Sequence, residues 1–267
     1  MPVFFAAKIC DLILLTNTIL AFVAFSLAAS GVYILNDLRD VEEDRLHPEK
    51  RDRPLASGIV TEEQAVCLMV LLWILGFSLM ASVSSTAVGI LGVYVIMNIA
   101  YSLHLKYVAI IDIAIVATGF VLRLFVGAAA ADITLSIWIV VMTFLLSLFI
   151  ALAKRRDDVL IYLNTGKKTR RVVEGYNLRF LDTAMAIMAS VVIVAYTIYT
   201  TSPQVVAKMH CKYLYLTAAF VVIGILRYLQ IVFVMEESGS PTRIVLTDRF
   251  IQLTILGWGV TFAWIIY

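Results

Sequence analysis

The chain has 267 residues, of which 62% are apolar and only 15% are charged. Soluble domains carry about 45–50% apolar and about 25% charged residues, so a soluble globular enzyme, a disordered tail and a secreted disulfide scaffold are excluded. The net charge of +2 gives no reason to expect a nucleic-acid partner. The apolar runs are about twice as long as the roughly ten-residue strands of a membrane β-barrel. What remains is an all-α, polytopic bundle of membrane helices.

In chain order, a window of membrane thickness predicts eight spans, at 17–36, 63–82, 86–102, 108–130, 135–153, 181–200, 214–234 and 250–267. Residues 1–15 are apolar but interrupted by Lys8 and Asp11, and they are too short to span alone. Met1 leads into them without a basic region or a small-residue cleavage site, so no removable signal peptide is expected. Small residues Ala28, Ala29, Ser30 and Gly31 break the first span and should let a neighbouring helix approach closely. Trp138, Trp258 and Trp264 read as interfacial anchors. Cys10, Cys67 and Cys211 are far apart and show no CxxC spacing, which suits inert thiols rather than a disulfide or metal site.

Sixteen of the 21 Lys and Arg fall after the first, third, fifth and seventh spans, against Lys208 and Lys212 on the other side. This asymmetry predicts that the charged segments are cytoplasmic, in a bacterial-type plasma membrane. Most of the acids share those segments, and orientation alone does not require that.

The first charged segment runs YILNDLRDVEEDRLHPEKRDRPLASG from Tyr33. Continued as helix, it places Asp37, Asp40 and Asp44 on one face, with Asn36 beside Asp40 at i+4. Such a stripe repels itself unless a cation sits among the oxygens, and hard oxygen ligands suit Mg²⁺ bridging to phosphates. Lys50, Arg51 and Arg53 follow, groups that bind phosphate oxygens. His47 has no partner at ligand spacing and reads as a solvated loop histidine. Pro54, Ser57 and Gly58 mark a turn, and Thr61 and Glu62 start the next span.

NDxxDxxxD followed by RPLASG resembles the first signature of the UbiA-type intramembrane prenyltransferases. The fuller pattern NDxxDxxxxxxHPxKxxRPxASG is similar to one branch, the decaprenyl-phosphate phosphoribosyltransferases. Tyr101, Ser102, Leu105 and Lys106 resemble the family's YSxxLK segment, and Asp112 matches the acid that follows it. The fifth span ends in Lys154, Arg155, Arg156, Asp157 and Asp158, repeating the acid-plus-base chemistry of the first segment. The resemblance assigns this KRRDD run to the second family motif, typical of the phosphoribosyltransferase branch. It implies phosphate ligands at Lys154, Arg155 and Arg156, and a second Mg²⁺ or ribose hydroxyls at Asp157 and Asp158. Tyr176 matches a family tyrosine less specifically. Lys167, Lys168, Arg170 and Arg171 read as a patch for anionic lipid headgroups. Arg123, deep in the fourth span, is expected to line a central cavity, because an intramembrane charge marks function.

The resemblance runs along the whole chain, which implies a single UbiA-like domain over 1–267 with pseudo-symmetric halves at about 1–130 and 131–267. Met1 stands where the family's first helix ends, at PVFFAAK, so that helix is read as missing, and any role it carries is open. The implied reaction transfers 5-phosphoribose from phosphoribosyl diphosphate (PRPP) to a polyprenyl phosphate. In it Mg²⁺ held by Asp37, Asp40, Asp44 and Asn36 neutralises the departing diphosphate, with no His or Cys required. Substrate phosphates would be held by Lys50, Arg51, Arg53, Lys106 and the 154–156 bases. Two alternatives stand beside it: a prenyltransferase with a prenyl diphosphate donor and aromatic acceptor, and a transporter or non-catalytic lipid-binding protein. CDP-alcohol phosphotransferases are disfavoured because their DGxxAR pattern is missing. Partners are thus PRPP, the polyprenyl phosphate lipid and the bilayer; a homo-oligomer is left open.

Overall fold

The computed structural model of the protein describes residues 11–46, 51–166, 171–209, 211–236 and 241–266. Every regular element among them is helical. The chain divides into two compact units, Met1–Ser136 and Ile137–Tyr267. Seven helices among the described residues are long and apolar enough to cross a membrane, and Arg249–Ile265 is a slightly shorter apolar helix where the eighth span is expected.

The first unit contains α1 (Leu12–Leu46), α2 (Glu62–Ala81), α3 (Ser85–Leu103) and α4 (Ile111–Ala130), with a short 3₁₀ turn at Leu105–Tyr107. Helix α1 has 35 residues, about 52 Å at 1.5 Å per residue, whereas the hydrocarbon core needs only about 30 Å. The apolar run ends near Leu35, but no proline or glycine follows to stop the helix before Leu46. Asn36 instead donates to Asp40 one turn on, at 3.1 Å, so the acidic stripe is a rigid helical extension.

Small residues set the spacing of α1 and α2. Ala21, Ala24 and Ala28 are buried along one face. A Cβ on Gly76 would lie 2.9 Å from the Ala24 carbonyl oxygen, so only glycine allows that approach. The Trp73 indole donates to the Ala28 carbonyl at 3.2 Å, a polar tie inside the membrane. Phe25 and Tyr94, with ring centroids 4.4 Å apart, fill the core shared with α3.

A second apolar cluster positions the charged extension. Val41, Leu55 and Ala65 are buried together, flanked by Ile34 and Leu38. This seats the 53–60 turn against α1. Ser57 and Gly58 donate backbone N–H groups to Arg53 and Leu55 carbonyls at 2.8 and 3.2 Å, and Gly58 has φ +78°, the left-handed region that favours glycine. Thr61 then caps α2 in a reciprocal box with Gln64, at 3.2 and 3.1 Å.

The second unit comprises α5 (Ile137–Thr165), α6 (Leu178–Thr201), α7 (Pro203–Met209), α8 (Ala218–Phe233), α9 (Pro241–Thr247) and α10 (Arg249–Ile266). Helix α5 passes straight through the KRRDD run, well beyond the expected end of the fifth span at 153. Like α1, it meets no helix breaker until Gly166, at φ +68°. At the opposite end of this unit, Tyr196 and Thr217 share a hydrogen bond of 2.8 Å, and Trp258 donates to the Tyr196 hydroxyl at 2.7 Å. Trp258 therefore points inward, stacked on Phe262, rather than anchoring at an interface; Trp264, 84% exposed, is free to do so.

Candidate active site

At one end of the first unit the C-terminus of α1, the 53–60 turn, the 3₁₀ turn and the start of α4 meet. Arg53 is the centre of this meeting. Its Nη1 donates to Asp37 Oδ1 at 2.7 Å and to Asp44 Oδ2 at 2.9 Å. Asp44 is buried, its side chain only 4% exposed, so the guanidinium compensates a carboxylate that water scarcely reaches. One turn away, Lys106 donates to Asp40 Oδ1 and reaches Asn36 Oδ1 at 3.4 Å. Lys106 is itself buried, so it is drawn into the acidic face instead of snorkelling outward.

The expected single stripe is therefore divided between two cations: Asp37 and Asp44 converge on Arg53, while Asp40 and Asn36 face Lys106. Among the described residues, no three acidic, histidine or cysteine side chains come close enough to hold one metal ion. The Asp37–Asp44 pair nevertheless fits magnesium. Two hard oxygen donors already hold one positive group between them, and Mg²⁺ takes one or two carboxylates plus waters and substrate phosphates.

The remaining sequence-derived residues divide sharply. Arg51 lies exposed beside Asp52 at 4.0 Å and takes no part in the acidic face. Lys50, like His47, Lys167, Lys168 and Arg170, lies outside the described residues. Asp112 is completely buried in the first turn of α4, where the helix dipole favours an acid. Ile110, just before it, has φ +72°, a strained conformation for a β-branched residue that fixes how the 3₁₀ turn joins α4. Tyr101 is half-buried, and the hydroxyl of Ser102 next to it is buried with no hydrogen-bond partner among the described residues. Arg123 is exposed halfway along α4, over the rings of Phe120, Phe25 and Tyr94 at 4.9, 5.5 and 6.0 Å.

In the second unit, Lys154 is exposed and Asp157 half-buried, whereas Arg155 is buried and pairs with Asp158 at 2.7 Å. Arg156 departs most from expectation. It is buried, its Nε donates to Asp182 at 2.7 Å, its Nη1 donates to the Val232 carbonyl at 2.9 Å, and its guanidinium lies 5.2 Å from the Phe233 ring. This arginine ties α5 to α6 and caps the last turn of α8, satisfying a carbonyl left without an intrahelical partner. Its Nε and Nη1 are thus taken by protein acceptors. Tyr176 is buried, stacks on Phe180 at 6.0 Å, and borders a groove of about 390 Å³ with Tyr162, Glu174 and Asn177.

Two partners are not visible to motif reading. Asp182 carries its signal only as a lone acid near the start of an apolar helix, four residues after Leu178. Asp248 follows α9 and accepts from Arg227 Nη2 at 2.7 Å and from the Ile251 backbone at 2.8 Å, capping α10. The hydrogen bond from Arg227 holds the Asp248 carboxyl below the usual carboxylate range, with the Ile251 N–H adding to the effect.

Comparison with known proteins agrees with this architecture. Residues 3–265 match the model of the UbiA prenyltransferase family. The chain is 35% identical over 253 residues to the decaprenyl-phosphate phosphoribosyltransferase of Mycolicibacterium smegmatis, covering 92% of this chain and 79% of the relative. It is 34% identical to the Corynebacterium glutamicum protein of the same name, covering 90% and 72%. A UbiA homologue from Archaeoglobus fulgidus bound to DMAPP and Mg²⁺ superposes with a TM-score of 0.70 at 17% identity, over 94% of this chain and 87% of that one. The matched family model spans nearly the whole chain and its long apolar helices: this integral membrane protein belongs to the UbiA prenyltransferase family.

Proposed function

We propose that the protein transfers 5-phosphoribose from PRPP to a polyprenyl phosphate, releasing diphosphate and forming a polyprenylphosphoryl-5-phosphoribose. The observation that carries this reading is the convergence of Asp37 and Asp44 on one cation at the end of a membrane helix. The named relatives support the choice of donor and acceptor.

The bond that breaks joins ribose C1 to the diphosphate, and the bond that forms joins C1 to an oxygen of the acceptor phosphate. That oxygen is already anionic, so no proton has to be removed, and the absence of histidine or cysteine from the described acidic face is no obstacle. Magnesium, present in the archaeal homologue, would be held by Asp37 and Asp44 and, when bound, neutralises charge developing on the leaving diphosphate. Arg53, displaced from between the two carboxylates, supplies a guanidinium for diphosphate oxygens. Lys106, fixed by Asp40 and Asn36, places a second positive charge near the same face. Lys154 and the Arg155–Asp158 pair offer comparable chemistry for a phosphate or ribose hydroxyls. The charged helix ends would face the cytoplasm, where PRPP is available.

The test is turnover by Asp37→Asn and Asp44→Asn proteins that remain monodisperse in detergent. Each should lose at least about a hundredfold in PRPP-dependent product formation, the scale of removing a preorganised electrostatic group. Wild-type-like turnover by both variants would contradict the assignment.

A further inference from the structure

Arg123 lies twelve residues into α4 after Ile111, about 18 Å along the axis. Helical side chains lean toward the N-terminus, which in α4 is the end carrying Asp112. The contacts agree, because the guanidinium sits over Phe120, one turn earlier, rather than over the turn that follows. Its charge is thus directed toward the acidic end. Snorkelling to the opposite end of α4 would run against that direction.

The three rings stabilise the cation through their faces but accept none of its five N–H donors. Arg123 makes no ion pair or hydrogen bond with any described residue. An exposed guanidinium within an apolar span, stacked but without a hydrogen-bond acceptor, is built to receive an anion. The local walls define what accompanies that anion. Phe120, 45% exposed, presents a ring beside the charge, which suits a hydrocarbon chain and not the hydroxyls of a sugar.

We propose that Arg123 is the receptor for the phosphate of the lipid acceptor, gripping a phosphate monoester while the first isoprene units lie against Phe120. This rests on the phosphoribosyl-transfer reading, which supplies a polyprenyl phosphate as acceptor. It assigns Arg123 to lipid recognition and leaves the diphosphate donor to the acidic face.

The experiment measures binding of a polyprenyl phosphate and of the polyprenol of equal length to the full-length protein in nanodiscs, without PRPP. Wild type should favour the phosphate by at least about tenfold, the scale of one charge-assisted contact. R123Q should lose that preference, and R123K should keep part of it. In turnover, R123Q should raise KM for the lipid by about tenfold with KM for PRPP within about twofold. An R123Q protein that still prefers the phosphate, or whose defect falls on KM for PRPP, overturns the proposal. Should R123Q fail to fold, R123K decides by the same split. Absence of phosphoribosyl transfer by wild type counts against the function reading alone, because the phosphate-over-alcohol preference and its loss remain measurable.

Discussion

Replacing Asp182 by alanine removes the anion facing Arg156 and tests what that buried arginine does. The Arg156 side chain is 6% exposed and Asp182 is 42% exposed, so nearly all of the desolvation falls on the arginine. Removing one partner of a buried ion pair costs about 3–5 kcal/mol. Here the guanidinium keeps the Val232 carbonyl at 2.9 Å and the Phe233 ring at 5.2 Å, and water can enter beside the half-exposed position 182. The expected cost is therefore lower, about 2–3 kcal/mol, equivalent to a fall in Tm of roughly 4–12 °C for a chain of this size. Thermal unfolding followed by fluorescence-detected size exclusion reads it directly. Arg156→Met alone should be milder, and the double variant should be no worse than Asp182→Ala, a coupling of about 1–3 kcal/mol. Both single variants should lower kcat while leaving KM for PRPP within about twofold, because they remove the tie that Asp182 and the Val232 carbonyl make to the end of α5 through Arg156. Additive losses, an unchanged Tm for Asp182→Ala, or a KM effect confined to Arg156 would refute this account.

Lys106→Met should strand Asp40 and lower turnover by at least about tenfold, with partial recovery in the Lys106→Met/Asp40→Asn pair, which removes the stranded charge. Because Arg227 holds the folded-state Asp248 carboxyl below its usual value of 3.8, the stability it contributes is present above that pH. It is lost as pH falls below about 3.8 toward the lowered folded value, since the unfolded state then takes up the proton first. Asp248→Asn keeps the cap on α10, so wild type and variant should differ in Tm at pH 7 and converge in strongly acidic buffer; a constant gap would contradict the assignment. Gly76→Leu should cost at least about 1–3 kcal/mol, measured as lost monodisperse yield, because its Cβ meets the Ala24 carbonyl at 2.9 Å.

The membrane bundle is readable from composition and run length because hydrophobic thickness imposes a threshold that no soluble helix meets. The turn at Gly58, the cap at Thr61 and the Asn36–Asp40 pair are equally local: each depends on residues within four positions of one another. The acidic stripe is also legible, since helical spacing alone aligns Asp37, Asp40 and Asp44. Its division between Arg53 and Lys106 is not, because that depends on where a turn and a second helix end arrive after folding. The same limit applies to Arg156, which looks like a phosphate ligand beside Lys154 and Arg155. Only the packing of α6 and α8, 26 and 76 residues away in sequence, reveals its partners. Charged motifs announce chemistry; burial decides which members perform it and which hold the scaffold.

A single assay distinguishes PRPP from a prenyl diphosphate as the donor. Purified protein is given Mg²⁺, a polyprenyl phosphate and either PRPP or a prenyl diphosphate with an aromatic acceptor, and the lipid products are weighed by mass spectrometry. With PRPP the expected product is a lipid heavier by one phosphoribosyl group, formed with an equal amount of diphosphate and abolished by EDTA. Prenylated aromatic product with no phosphoribosyl lipid would contradict it.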